Sequence, residues 1–166
     1  MSHPHYQVRT CTVGDAPIIA RHRVEMFREM GSVPSGELAR ALLDHSVTAI
    51  AAELRNGCYF GWFAVDHDDR VIGGAGAHVK PQLPRIAGDG KRVALSPVPL
   101  VVNVYTEPDW RKKGVARTLM NTIMGWARER NFDRVVLHAS AAGRPLYESL
   151  GFHATNEMRW FPGASD

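Results

Sequence analysis

The segment from Leu100 to Phe152 constrains the architecture of this chain more than any other. Leu100-Val101-Val102-Asn103-Val104-Tyr105 is a short apolar run rich in β-branched residues. It is stopped by Glu107-Pro108, since the residue before a proline avoids the helical region, so it reads as a buried strand. Past Gly114 the period changes. Val115, Leu119, Ile123, Trp126 and Ala127 recur at helical spacing, with Arg117, Arg128 and Glu129 elsewhere around the helix. Between strand and helix lies the cationic loop Arg111-Lys112-Lys113-Gly114-Val115-Ala116.

Such a loop has two readings. It is an ordinary solvated basic loop, or it is an anion site. The first turn of a helix leaves backbone N–H groups without partners, and the helix dipole adds partial positive charge. Gly114 lets a phosphate approach the backbone, and Ala116 keeps the next turn uncrowded. The loop holds no carboxylate or imidazole cluster, so it suits a pyrophosphate better than a metal.

The surroundings decide between the two. A strand at Val135-Val136-Leu137-His138 follows the helix, and then Leu146-Tyr147-Glu148-Ser149-Leu150-Gly151-Phe152. The succession strand, Arg-x-x-Gly-x-Ala, helix, strand, Leu-Tyr-x-x-x-Gly-Phe resembles the acetyl-CoA-binding half of the GNAT N-acetyltransferase superfamily. The likeness covers the last two-thirds of the chain by motif and the first third by element order. It implies one α/β domain over residues 1–166, with a mixed, splayed central sheet flanked by helices. It also implies an acetyl-CoA-dependent acyltransferase that passes an acetyl group to a primary amine by direct attack in a ternary complex. The alternative is a CoA-binding regulatory module of the same fold without catalysis.

Residue roles carry over from the resemblance position by position. Backbone groups of Val104, Tyr105 and Thr106 match those that bind pantetheine where the fourth and fifth strands part. The segment Arg111, Lys112, Lys113, Gly114, Val115, Ala116 and Arg117 matches the pyrophosphate cradle. Tyr147 matches the tyrosine that donates to the departing sulfur; a phenol stays protonated at neutral pH and can do so. Two positions depart from the family pattern. Ser140 stands where an asparagine often helps hold pantetheine and can make one similar hydrogen bond to the cofactor with shorter reach, and the fourth strand carries no glutamate to act as base. Glu107, His78, Glu25 or a water relay are the alternatives, and the sequence does not choose among them.

Tyr6 to Thr12 alternates as a first strand, and Asp15 with Pro17 reads as a helix start. Ile19, Met26, Phe27 and Met30 form the apolar stripe of that helix. His22, Glu25, Arg28 and Glu29 fall on what reads as its solvated face, although by the resemblance they border the acceptor. A turn at Ser32 to Gly36 leads to a second helix with Leu43, Val47, Ile50 and Leu54 on one face. Cys58–Val65 and Arg70–Val79 read as a hairpin, its tip Asp66-His67-Asp68-Asp69 a surface turn rather than a metal site. Glycines at 73, 74 and 76 inside a strand point to a bulge or a close approach of another group. The Pro- and Gly-rich connection Lys80 to Pro99 reads as a lid or specificity loop, and Thr155 to Phe161 as a last strand.

Composition narrows the partners. The chain has 166 residues and a formal net charge of +3, without a long Lys/Arg run, which argues against nucleic acid as a partner. Cys11 and Cys58 match no zinc or redox spacing and read as reduced thiols. His3 and His5 belong to a frayed terminus. With neither a leader nor a membrane-length apolar run, a cytoplasmic protein is expected. The expected partner is a small-molecule or peptide amine, with a homodimer compatible.

Overall fold

A computed structural model describes residues 5–33 and 35–163 of the chain. His3, and Pro34 within the expected turn, lie outside them. Among the described residues seven strands and four α-helices follow in order: β1 (Tyr6–Thr10), α1 (Ala16–Glu29), α2 (Gly36–Arg55), β2 (Tyr59–Asp66), β3 (Val71–Lys80), β4 (Arg85–Ile86), β5 (Val93–Ala94), β6 (Val98–Thr106), α3 (Val115–Glu129), β7 (Val136–Leu137) and α4 (Arg144–Ser149). The central sheet has the order β1-β2-β3-β6-β7. Its strands are antiparallel except for β7, which runs parallel to β6. The expected mixed sheet flanked by helices is what forms, and the strand expected fourth is β6 because β4 and β5 make a separate small ribbon.

Two cores sandwich the sheet. On one face the buried stripe of α3 (Val115, Leu119, Met120, Ile123) packs on Trp62, Ala64, Ile72 and Val101, with Tyr147, Leu150 and Phe152 from the α4 region at its margin. On the other, Ile19 and Ala20 of α1 and Ile50 of α2 pack on Tyr59, Phe63 and Val65. Leu43, Val47 and Leu54 join this second core, as their spacing along α2 predicts.

The glycines of β3 carry close approaches. A Cβ on Gly73 would stand 2.9 Å from Val115, one on Gly74 2.9 Å from Phe63, and one on Gly76 2.0 Å from the Tyr59 hydroxyl. At the tip between β2 and β3, Asp66 Oδ1 accepts from the amides of Asp68 and Arg70, and Oδ2 from Arg70 Nε. These bonds make it the organiser of the turn.

Four expectations need correction. Only Val136 and Leu137 of the strand after α3 pair with β6. Thr155 to Phe161 forms no strand, and Met158, Trp160 and Phe161 are exposed. The segment touches the end of edge strand β7 through side chains, His138 Nε2 lying 2.7 Å from Glu157 Oε2, without entering the sheet; alternation alone does not make a strand. Met30, placed on the apolar stripe of α1, is exposed, whereas His22, placed on its solvated face, is 1% exposed. The Asp15 side chain does not cap α1; it accepts two bonds at 2.9 Å from the Arg9 guanidinium and one at 2.7 Å from the Thr12 amide. Among the described residues no helix is long and apolar enough to cross a membrane.

Candidate functional site

The site grows out of an interruption in β6. Val102 lies opposite Gly76 and Tyr105 opposite Gly74, so β6 carries one residue more than β3 across this interval. Asn103 occupies the bulge at φ 56°. Asparagine tolerates this left-handed conformation better than most residues. Its buried amide is engaged at both ends: Oδ1 accepts from Arg23 at 2.9 Å, and Nδ2 donates to the Tyr59 hydroxyl at 3.1 Å.

Beyond the bulge β6 has an open edge. Its pairing with β7 covers Leu100 and Val101 only. The Glu107 amide still donates to Ile72 on the β3 side at 2.9 Å. By strand alternation Tyr105 also turns its backbone groups to β3, whereas those of Thr106 and Val104 turn to the opening. The Thr106 carbonyl accepts from Arg111 Nε at 2.9 Å.

The open edge leads into the loop before α3. Lys112 at φ 59° and Gly114 at φ 83° curl the chain. The first backbone bond of the helix runs from Thr118 to Gly114, at 3.0 Å. The amides from Lys112 to Arg117 therefore have no backbone partner among the described residues. Lys113 lies over the Trp110 ring, which packs edge-on against Tyr6, and the Tyr6 hydroxyl bonds Thr118 Oγ1 at 3.0 Å. Arg111 reaches toward α1. It lies over Tyr105, pairs with Glu29 of α1, and its charged form is favoured first by that hydrogen bond. Arg117 Nη2 donates to Ser149 Oγ at 2.8 Å and ties α3 to α4.

Tyr147 stands on α4, and burial pushes its phenol above the ordinary range. A Cβ on Gly143 would lie 2.8 Å from its ring, so the missing side chain makes room for it. Ser140 Oγ accepts from the Gly143 amide at 3.2 Å, so Ser140 already shapes the start of α4.

The three base candidates separate in space. His78 lies opposite Leu100, at the end of β3 away from the opening, with Nε2 3.0 Å from Glu53. Glu25 accepts from Arg28 at 2.6 Å on α1. Glu107 directly follows β6; Arg21 donates to its Oε1 at 2.5 Å, and His22 Nε2 stands 3.5 Å from the same atom. His22 is packed against Phe63 and Tyr105, and neither ring nitrogen has a hydrogen-bond partner among the described residues. Burial, aided by Arg21, lowers its pKa to about 4, so the imidazole is neutral at pH 7. The connection from Lys80 to Pro99 is pinned at the far end of the sheet, where Arg85 pairs with Asp133 and donates to the Ser96 carbonyl at 2.9 Å.

The bulge network and the Arg21–Glu107 contact escape a reading of motifs. The first left a trace, an asparagine amid β-branched residues. The second joins residues too distant in sequence for spacing to reveal.

The description of the acetyltransferase (GNAT) family matches residues 24–152. The chain belongs to this family. A GCN5-related N-acetyltransferase from Ralstonia eutropha JMP134 superposes with a TM-score of 0.83 at 28% identity, over 96% of this chain and 99% of that one. A predicted acetyltransferase with acetyl-CoA from Clostridium acetobutylicum gives 0.77 at 24% identity, over 94% and 95%. A curated aminoglycoside N(6')-acetyltransferase type 1 from Acinetobacter genomosp. 13 is 29% identical over 69 residues. That match takes in 40% of this chain and spans about half (47%) of the relative's length. The matched family segment begins at Val24, inside α1, and ends at Phe152, just after α4.

Proposed function

We propose that this GNAT member transfers an acetyl group from acetyl-CoA to a primary amine by direct attack within a ternary complex. One observation carries the reading: the open edge of β6 is followed, across the short 3₁₀ turn Pro108–Trp110, by unpartnered amides at the head of α3. That succession of free backbone groups suits an elongated ligand with an amide-bearing arm and a diphosphate. Acetyl-CoA supplies a thioester whose carbonyl carbon accepts the amine.

The chain's own groups do the rest. Amides from Lys112 to Arg117 hold the diphosphate, with the Lys112 and Lys113 ammonium groups adding charge. Val104 and Thr106 bind the pantetheine arm through their backbone, and a β6 N–H polarises the thioester oxygen. Tyr147 is the acid that donates its phenolic proton to the departing sulfur. Glu107, beside the opening and held by Arg21, accepts the amine's proton directly or through water. Cys11 is no rival nucleophile, since burial pushes its thiol up to about 12. Cys58, half-buried just before β2, has its sulfur 3.8 Å from the Asn56 carbonyl. Direct attack therefore needs no covalent relay.

Calorimetric titration of acetyl-CoA tests the reading, with a free-thiol assay over a panel of amines. Micromolar binding, weakened about ten-fold in Lys112→Ala/Lys113→Ala, together with amine-dependent thiol release, is the expected outcome. Binding without release for any amine would favour a regulatory module. No binding by the folded protein would remove both.

A further inference from the structure

Next to Glu107, α1 and α2 part to leave an open groove of about 360 Å³. Val24 and Leu43 give it an apolar floor. Arg21, Arg28 and Arg40 line it against the single carboxylate of Glu25. Arg21 links the groove to Glu107: it lines the groove and donates to the Glu107 carboxylate.

Ion pairing leaves this lining one positive charge in excess: Arg21 pairs with Glu107, Arg28 with Glu25, and Arg40 remains. Arg21 and Arg28 each give one contact to a carboxylate, at 2.5 Å and 2.6 Å. A guanidinium has five N–H groups, so both keep donors for a further acceptor. Arg40 makes no ion pair among the described residues, although Glu37 and Asp44 lie within one turn of it on α2. A partly enclosed groove with excess positive charge concentrates anions and repels polycations. Its volume suits a ligand the size of an amino acid or dipeptide.

We infer that the acceptor is a small primary amine bearing a carboxylate. The carboxylate lies on Arg28 and Arg40, the apolar body on Val24 and Leu43, and the amine points toward Glu107. The inference rests on the acetyl-transfer reading for the fate of that amine, but the charge preference of the groove can be measured by itself.

The test is calorimetric, with and without saturating CoA. L-leucine and glycyl-L-leucine are each compared with their carboxamides, and with spermidine as polycation. The acids are expected to bind about five-fold more tightly than the amides at low salt. Arg40→Gln should shrink that ratio, Arg40→Lys should retain most of it, and about 0.5 M salt should erode it. Equal binding of acid and amide, tighter binding of spermidine, or a ratio indifferent to Arg40→Gln would each overturn the inference. The thiol assay on the same panel separates the two readings. Acetyl-CoA consumed with spermidine but not with the acids leaves acetyl transfer standing and sinks the carboxylate acceptor. Acid-selective binding with no thiol release from any amine leaves the anion groove standing and sinks acetyl transfer.

Discussion

Asn103 shows how one residue can set a site. At φ 56° in mid-strand it holds a conformation that an alanine would adopt only with strain. Its amide meets both Arg23 and the buried Tyr59 hydroxyl. Asn103→Ala would keep the strain and leave the buried Tyr59 hydroxyl and the half-buried Arg23 guanidinium without this partner. A loss of about 2–3 kcal/mol is expected in urea unfolding, with acetyl-CoA affinity falling as the bulge relaxes. Tyr59→Phe removes one hydroxyl and should cost about 1 kcal/mol by the same measurement. For Tyr147, the proposed acid, the expectation is kinetic. Tyr147→Phe should lower kcat at least about a hundred-fold with acetyl-CoA affinity little changed. Unaltered kcat would leave Tyr147 as a packing residue over Gly143.

At the scale of elements, the sequence was most legible where local physics suffices. The change from β-branched run to helical period around Gly114, the apolar face of α2 and the crowded glycines of β3 all follow from spacing and side-chain size. His22 was misread because a histidine on a helix reads as polar, and only the Phe63 and Tyr105 rings above it show that the position is interior. The Thr155–Phe161 segment was misread because a strand needs a partner that no local pattern supplies. Two predictions belong here. A Cβ on Gly76 would meet the Tyr59 hydroxyl at 2.0 Å, and that ring is nearly fully buried. Gly76→Ala should therefore destabilise by about 2–3 kcal/mol, read as a lowered melting temperature. The Lys80–Pro99 connection depends on Asp133, whose side chain is 1% exposed and pairs with Arg85 and Arg134. Asp133→Ala strands the Arg85 charge. Trypsin should then cut beside the exposed Lys91 and Arg92 about ten-fold faster or more, while sites within α3 stay protected.

Across the whole molecule, acid should act unevenly because two depressed pKa values fall on the α1 side of the sheet. His22 titrates near pH 4 when folded, against about 6.5 when unfolded, because it is buried and lies close to Arg21. Between those values the unfolded chain takes up a proton that the folded chain refuses. Stability therefore declines as pH falls from about 6.5 toward 4 and levels below, by on the order of 2–3 kcal/mol. Asp15 is held at about 2, first by its bonds from Arg9, although burial opposes this. Its contribution is complete above about pH 4 and is lost as pH falls toward 2. Urea midpoints measured across this range should show both declines. His22→Leu, which keeps an apolar filler without a titrating ring, should flatten the upper one, and Asp15→Asn the lower. Both residues secure α1: Asp15 through Arg9 of β1, and His22 in the core beneath Glu107. α1 also carries Arg21 and Arg28, so protonation should first loosen the wall proposed to receive the acceptor. The α3 loop, packed through Val115 on the opposite face, contains no carboxylate or imidazole from Arg111 to Arg117. In mild acid, binding of carboxylate-bearing amines should accordingly weaken before binding of acetyl-CoA does. Equal loss of both at pH 5 would mean that α1 and α3 open together as one unit.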